Sequence, residues 1–186
     1  MISRTEFEKS LGPETMRGSQ IIHIALAFGV TIFFVVVLVL YSFGSPQSEP
    51  DEGLIRMLCM ALMVMAISAY GVAFFMYKKV ITKISFSEPF VSTEGRVYKN
   101  VGDIFVVRLR TAQIIRLALF EGVAFFGLVI CILSVQNGLL YEQPIYWAAA
   151  LPALVVVLLV AQTFPTKERM VAEFEAYQQL SSNRNF

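Results

Sequence analysis

The sequence predicts an all-α integral membrane protein, a four-helix bundle made of two tandem hairpins in parallel orientation, with both termini cytoplasmic. Three observations point there. First, residues 21–43, 54–77, 114–135 and 145–164 are apolar stretches of about the 20 residues that a bilayer crossing needs. Charged residues make up only 16% of the chain and the mean hydropathy is +0.66. The four stretches are apolar all round, whereas the helices of a soluble bundle carry a polar face. Second, every Lys and Arg except Arg56 lies in the N-terminal segment, the central loop with its flanks, or the tail. The two remaining loops carry Glu49, Asp51, Glu52 and Glu142. An excess of Lys and Arg marks the cytoplasmic side. Third, RGSQIIHIALAFGVTIFFVVVLVL at 17–40 matches RTAQIIRLALFEGVAFFGLVICIL at 110–133 in register. The pairs Arg17/Arg110, Gln20/Gln113, Ala25/Ala118 and Gly29/Gly122 are not what apolar bias alone produces. The chain reads as a duplicated hairpin forming a single membrane domain over 1–186.

Residues 1–16 are polar and read as a cytoplasmic lead-in, with Pro13 after Gly12. The first apolar run exceeds the roughly 7–15 residues of a signal core and no small-x-small cleavage site follows cleanly, so a retained span is expected. GSPQSEPDEG at 44–53 is an outer turn by its Gly, Pro, Ser and Asp content. Span two is rich in Met (Met57, Met60, Met63, Met65), which suits an adaptable packing or lipid-facing surface. The cytoplasmic loop, 78–113, mixes β-branched residues, aromatics and charges. It suggests an extended or interfacial element over 84–91 and a helix from 103 to 116 leading into span three. Asn137-Gly138 signals the second outer turn, and Tyr141, Tyr146 and Trp147 sit where aromatic rings favour the interface. Over 166–182 an amphipathic helix follows Pro165, which can bend the junction. Its stripe of Met170, Val171, Phe174 and Tyr177 is expected on the membrane surface or on a partner; a frayed polar tail is the alternative.

Glu121 is the one acid inside an apolar span, and a charge there is costly enough to suggest function. It lies five residues past Arg116, about 7 Å into the span at a 1.5 Å rise per residue. Two readings stand: a structural glutamate at a helix interface, or an ion-linked carboxylate. His23 and Arg116 occupy matching positions in the two copies, and with Gln20 and Gln113 they complete a candidate intramembrane polar site. His23 is either a proton partner for Glu121 or a ring at headgroup level. Gly29, Gly122, Gly127, Ala25 and Ala118 form the candidate helix-packing set, because small residues let transmembrane helices approach closely. Gly29 and Gly122 are expected to superpose, each packed against a neighbouring helix.

Cys59 and Cys131 both fall in the outer halves of their spans. A bond between them is conceivable, and packing as two small apolar residues is the bland reading. The chain has one His and no cluster with metal-ligand spacing, so neither metal nor cofactor is expected. No nucleophile elbow or phosphate loop is present, which disfavours an enzyme. The basic loop is a topology signal, so nucleic acid is not an expected partner. The expected partners are the lipid bilayer and other membrane subunits, a homo-oligomer included.

ALFEGVAFFGLVICIL at 118–133 resembles the carboxylate helix of rotary ATPase c subunits, where Gly-Leu-Val follows a Glu by six residues. The resemblance covers one helix and implies an ion-carrying Glu121. R-x-x-Q-I-I-x-x-A-L, together with A-L-x-E-G-x-A, is also similar to uncharacterised small bacterial four-span membrane proteins. That likeness covers both halves and implies the fold and a bacterial inner-membrane location. Two functions follow as expectations. One is a non-enzymatic packing or accessory subunit of a membrane assembly; the other is a component that moves protons or cations through Glu121.

Overall fold

The computed structural model describes residues 4–45, 51–82, 90–91, 97–98 and 100–182. The described chain is almost entirely helical. Its elements are α1 (Arg4–Ser10), α2 (Pro13–Phe43), α3 (Glu52–Thr82), β1 (Phe90–Val91), β2 (Val97–Tyr98), α4 (Val101–Gln136), α5 (Leu139–Glu142), a 3-10 segment (Pro144–Ala150), α6 (Leu151–Thr163) and α7 (Lys167–Ser182). Among the described residues, four helical stretches are long and apolar enough to cross a membrane: Met16–Phe43, Glu52–Val80, Val101–Gln136 and Pro144–Thr163. Membrane character and the all-helical class therefore stand.

Local chemistry sets most boundaries. Pro13 opens α2, where its missing N–H costs nothing. Asp51 caps α3 by accepting the Leu54 N–H at 2.9 Å. Thr166 caps α7 through the Arg169 N–H at 3.3 Å, just after Pro165 has ended α6. Gly138 turns the second hairpin with φ 75, a backbone state that favours glycine. α4 is longer than the span expected within it. Its 36 residues extend about 54 Å, against a hydrocarbon core of about 30 Å. The expected loop over 78–113 is thus shortened from both sides, because α3 continues to Thr82 and α4 begins at Val101. Of the element expected over 84–91, only Phe90 and Val91 are described. They form a two-residue antiparallel ladder with Val97 and Tyr98.

The chain packs as two compact units, a finer division than the single domain suggested by the sequence. One comprises residues 1–23, 75–115 and 164–186. Its core is Phe7, Phe105, Val106, Leu109, Met170, Val171 and Phe174. Phe7 stacks on Phe174 at 3.9 Å between ring centroids and meets Phe105 edge-on at 5.6 Å. The Gly12 N–H donates to the Asp103 carboxylate at 3.1 Å, and Arg4 pairs with Glu175 at 3.5 Å. This corrects the expectation for the tail. The apolar stripe of α7 lies neither on a membrane surface nor on a separate partner; α1 and the start of α4 cover it. The lead-in hid this because α1 is seven residues long and shows too few apolar positions for a periodic signal.

The other unit comprises residues 24–74 and 116–163. Here α2 buries Val30 and Val37, and α3 buries Ile55, Leu62 and Ala69. Both lines repeat every seven residues, the spacing of a coiled-coil seam. Much of the remaining surface of these helices is apolar and exposed, as at Phe28, Ile32, Met63 and Phe74. Only 11% of the most apolar window is buried in each, against 50% in α4. Phe33 of α2 and Tyr70 of α3 pack edge-on and tilted against Phe125 and Phe120 of α4. α4 is thus the helix against which the others dock.

Candidate functional site

Glu121 is half-buried on α4 and turned toward α2. A Cβ added at Gly29 would lie 3.5 Å from Glu121 Oε1 and 3.8 Å from the Phe125 ring. Gly29 thereby leaves room for the carboxyl between the two helices. One turn further along, Phe33 and Phe125 meet edge-on at 5.4 Å and close the space toward the membrane interior. Among the described residues Glu121 has neither a hydrogen bond nor an ion pair. The surroundings are apolar, so the cost of charge at this depth is not offset within the unit.

The other polar candidates are distributed differently. Arg116 is half-buried in the same unit as Glu121 and forms no ion pair with it. His23, Gln20 and Gln113 belong to the other unit. His23 is fully buried, with Nδ1 2.9 Å from the Ser19 carbonyl and its ring edge-on to Phe164 at 6.3 Å. It is therefore a packed ring within its unit. Gln20 donates to the Pro165 carbonyl at 3.0 Å, holding α2 to the bend between α6 and α7. Gln113 is buried, and its Oε1 has no partner among the described residues.

The packing set divides as well. Gly127 is buried where α4 meets the 3-10 segment that leads into α6. An added Cβ there would collide with the Ala149 carbonyl oxygen and stand 3.5 Å from Leu62 Cδ2. Gly29 makes room for Glu121. Gly122, by contrast, is exposed, and a Cβ there would meet nothing within 4 Å. Ala25 and Ala118 are exposed too. The idea of matched glycines, each packed against a neighbour, therefore does not hold for Gly122. The two segments match at some positions in sequence, but more of α4 than of α2 is covered within the structure, so matching positions meet different surroundings.

Sequence reading missed Ala149, whose backbone meets Gly127, and the buried Ala150 and Ala153 beside it. The run of three alanines after Trp147 was the available signal. Cys59 is half-buried and Cys131 buried, both as free thiols, with Cys131 Sγ 3.9 Å from the Tyr146 carbonyl. A cleft of about 360 Å³ between α2 and α6 is lined by apolar groups of Val30, Phe34, Ala153 and Leu154. Its one hydroxyl, Thr31, already donates to the Ala27 carbonyl at 2.7 Å. Such a cleft offers shape and no acid, base or nucleophile. Comparison with known protein families, curated proteins and solved structures finds no match to the chain.

Proposed function

We propose that the chain is a non-enzymatic multi-pass protein of a bacterial inner membrane, with both termini cytoplasmic, acting as a packing or accessory subunit of a membrane assembly. The carrying observation is how little of α2 and α3 the chain itself covers: 11% of the most apolar window of each. Helices that dock through one narrow seam leave broad apolar faces for lipid and for other helices. The absence of acid–base or nucleophilic groups in the described cleft fits the same reading. Solubilising native membranes in mild detergent and sizing the protein by blue native electrophoresis tests it. Migration well above the 20.8 kDa chain, retained through a second native dimension, is expected. Migration as a monomer under every mild detergent would remove the reading.

A second reading is favoured by one observation, the unpaired carboxyl of Glu121 beside Gly29. In it, Glu121 carries a proton or cation across part of the bilayer. Proton flux into proteoliposomes separates the two. For a packing subunit no flux above the lipid background is expected under an imposed gradient, and Glu121→Gln keeps assembly. For an ion carrier, wild type conducts and Glu121→Gln abolishes flux while the protein still folds.

A further inference from the structure

Two contacts fix how α3 and α4 run past each other in the second unit. The Tyr70 ring of α3 lies 4.6 Å from the Phe120 ring of α4. Eight residues earlier on α3, Leu62 meets Gly127, which is seven residues later on α4. A Cβ added at Gly127 would stand 3.5 Å from Leu62 Cδ2. The helices are therefore antiparallel, and one step further along the same register sets Cys59 opposite Cys131. Cys59 is three residues before Leu62 and Cys131 four after Gly127, displacements of about 4.5 and 6 Å in the same direction at a 1.5 Å rise per residue.

Both cysteines lie on the docking faces. Cys59 falls between Ile55 and Leu62 at spacings of four and three residues, and Cys131 follows Ala124 and Gly127 at seven and four. Ala66 of α3 and Ala124 of α4 belong to the same core, and residues this small let two backbones approach closely. The two thiols are near enough for charge on one to act on the other. Their surroundings differ. Cys131 is buried, with Sγ 3.9 Å from the Tyr146 carbonyl. Cys59 is half-buried, and its neighbours Met60 and Met63 are exposed. An oxidant dissolved in the bilayer thus meets Cys59 first. Cys131 gives up only a long, weak S–H contact when it turns toward α3.

We infer that Cys59 and Cys131 form a modification site, joined by a disulfide across the α3–α4 contact after a lipid hydroperoxide oxidises Cys59. The Cys59 sulfur takes the terminal oxygen of the hydroperoxide as the O–O bond breaks, and the lipid leaves as an alcohol carrying the thiol proton. The resulting sulfenic acid is attacked by the Cys131 sulfur; the S–S bond forms and hydroxide leaves with the Cys131 proton as water. Two electrons pass from the two sulfurs to the peroxide. Apolar surroundings slow the attack, and they equally keep aqueous reductants from the bond once it has formed, so the cross-link accumulates. It ties α3 to α4 and closes a long segment of chain.

The full-length protein in liposomes tests this. A lipid hydroperoxide is added, residual thiols are alkylated in SDS, and the intact mass and the digested peptides are measured. Wild type should lose both alkylatable thiols together, drop by the mass of two hydrogens, and yield one peptide pair linked through Cys59 and Cys131. Cys59→Ser and Cys131→Ser should yield no internal link. In Cys59→Ser carrying Met60→Cys, the new thiol sits on the exposed side of α3 and should stay unlinked. Copper–phenanthroline, which oxidises neighbouring thiols without a hydroperoxide, is run in parallel. A link with neither oxidant in wild type overturns the facing pair. A link with copper–phenanthroline alone, or Cys59 ending as sulfinic acid with Cys131 still free, overturns the hydroperoxide reaction. Equal linking through the thiol at position 60 shows random collision and overturns the site.

Discussion

Phe7→Ala should release α1 from the first unit. Phe7 is fully buried, stacked on Phe174 at 3.9 Å and edge-on to Phe105 at 5.6 Å. Truncating a buried Phe to Ala typically costs about 3–5 kcal/mol in lost burial and cavity formation. Beside the rings, α1 is held by the close fit of Ser10 over Gly102 and by the Gly12–Asp103 hydrogen bond just past its end. α1 has seven residues, far below the roughly 12–15 at which an isolated helix becomes even marginal in water. The Arg4–Glu175 pair is 3.5 Å long with Arg4 65% exposed, so it contributes about 0–1 kcal/mol. Aromatic packing is therefore the largest single contribution to docking α1. At about 1.4 kcal/mol per factor of ten, losing it should raise amide exchange in α1 by roughly two to three orders of magnitude. Hydrogen exchange followed by mass spectrometry on peptides covering 4–12 reads this directly, and Arg4→Ala serves as the comparison, with at most a fewfold change expected. Met170, Val171 and Phe174 lose their cover in the same variant, so α7 should gain affinity for vesicles. Unchanged exchange in Phe7→Ala, or an equal rise in Arg4→Ala, would show that the aromatic cluster does not hold α1.

Three further outcomes are expected. Gly127→Ala should destabilise the second unit by about 1–3 kcal/mol, because its methyl meets the Ala149 backbone. Gly122→Ala should change stability by less than about 0.5 kcal/mol, as for surface sites free of special features, and unfolding in mixed micelles compares the two. Tyr141→Phe should cost at most about 0.5–1.5 kcal/mol, since it removes the hydrogen bond from Tyr141 to the Tyr41 carbonyl at 2.7 Å and leaves the stacked rings in place. Reporter fusions after residues 48 and 138 should report the outside, and fusions after 92 and 180 the cytoplasm; a cytoplasmic signal at 48 contradicts the charge-based topology.

The candidate site was only half legible. Glu121 stands out in the sequence because an acid in an apolar run is costly wherever the run ends up. Gly29 was identified as a packing residue and in fact makes space for that acid, a role that depends on which helix lies beside it. His23, which the sequence match places opposite Arg116, packs against Ser19 and Phe164 within its own unit.

By itself, the sequence determined the number of apolar helices, the turn at Gly138 and the breaks at Pro13 and Pro165. Each depends on local chemistry: length of apolar run, backbone freedom of glycine, or the missing N–H of proline. Only the tertiary structure decided which faces are covered. In a span that is apolar on every side, hydrophobicity does not distinguish the buried seam of Val30 and Val37 from the exposed Phe28 and Ile32 beside it. The sequence match between 17–40 and 110–133 made matters worse, since it suggested equal roles for Gly29 and Gly122. Packing broke that equality by placing α4 among its neighbours and leaving most of α2 uncovered. The cover over α7 likewise came from Phe7, one aromatic ring in a polar stretch, whose partner Phe174 lies too far along the chain for any periodicity to reveal.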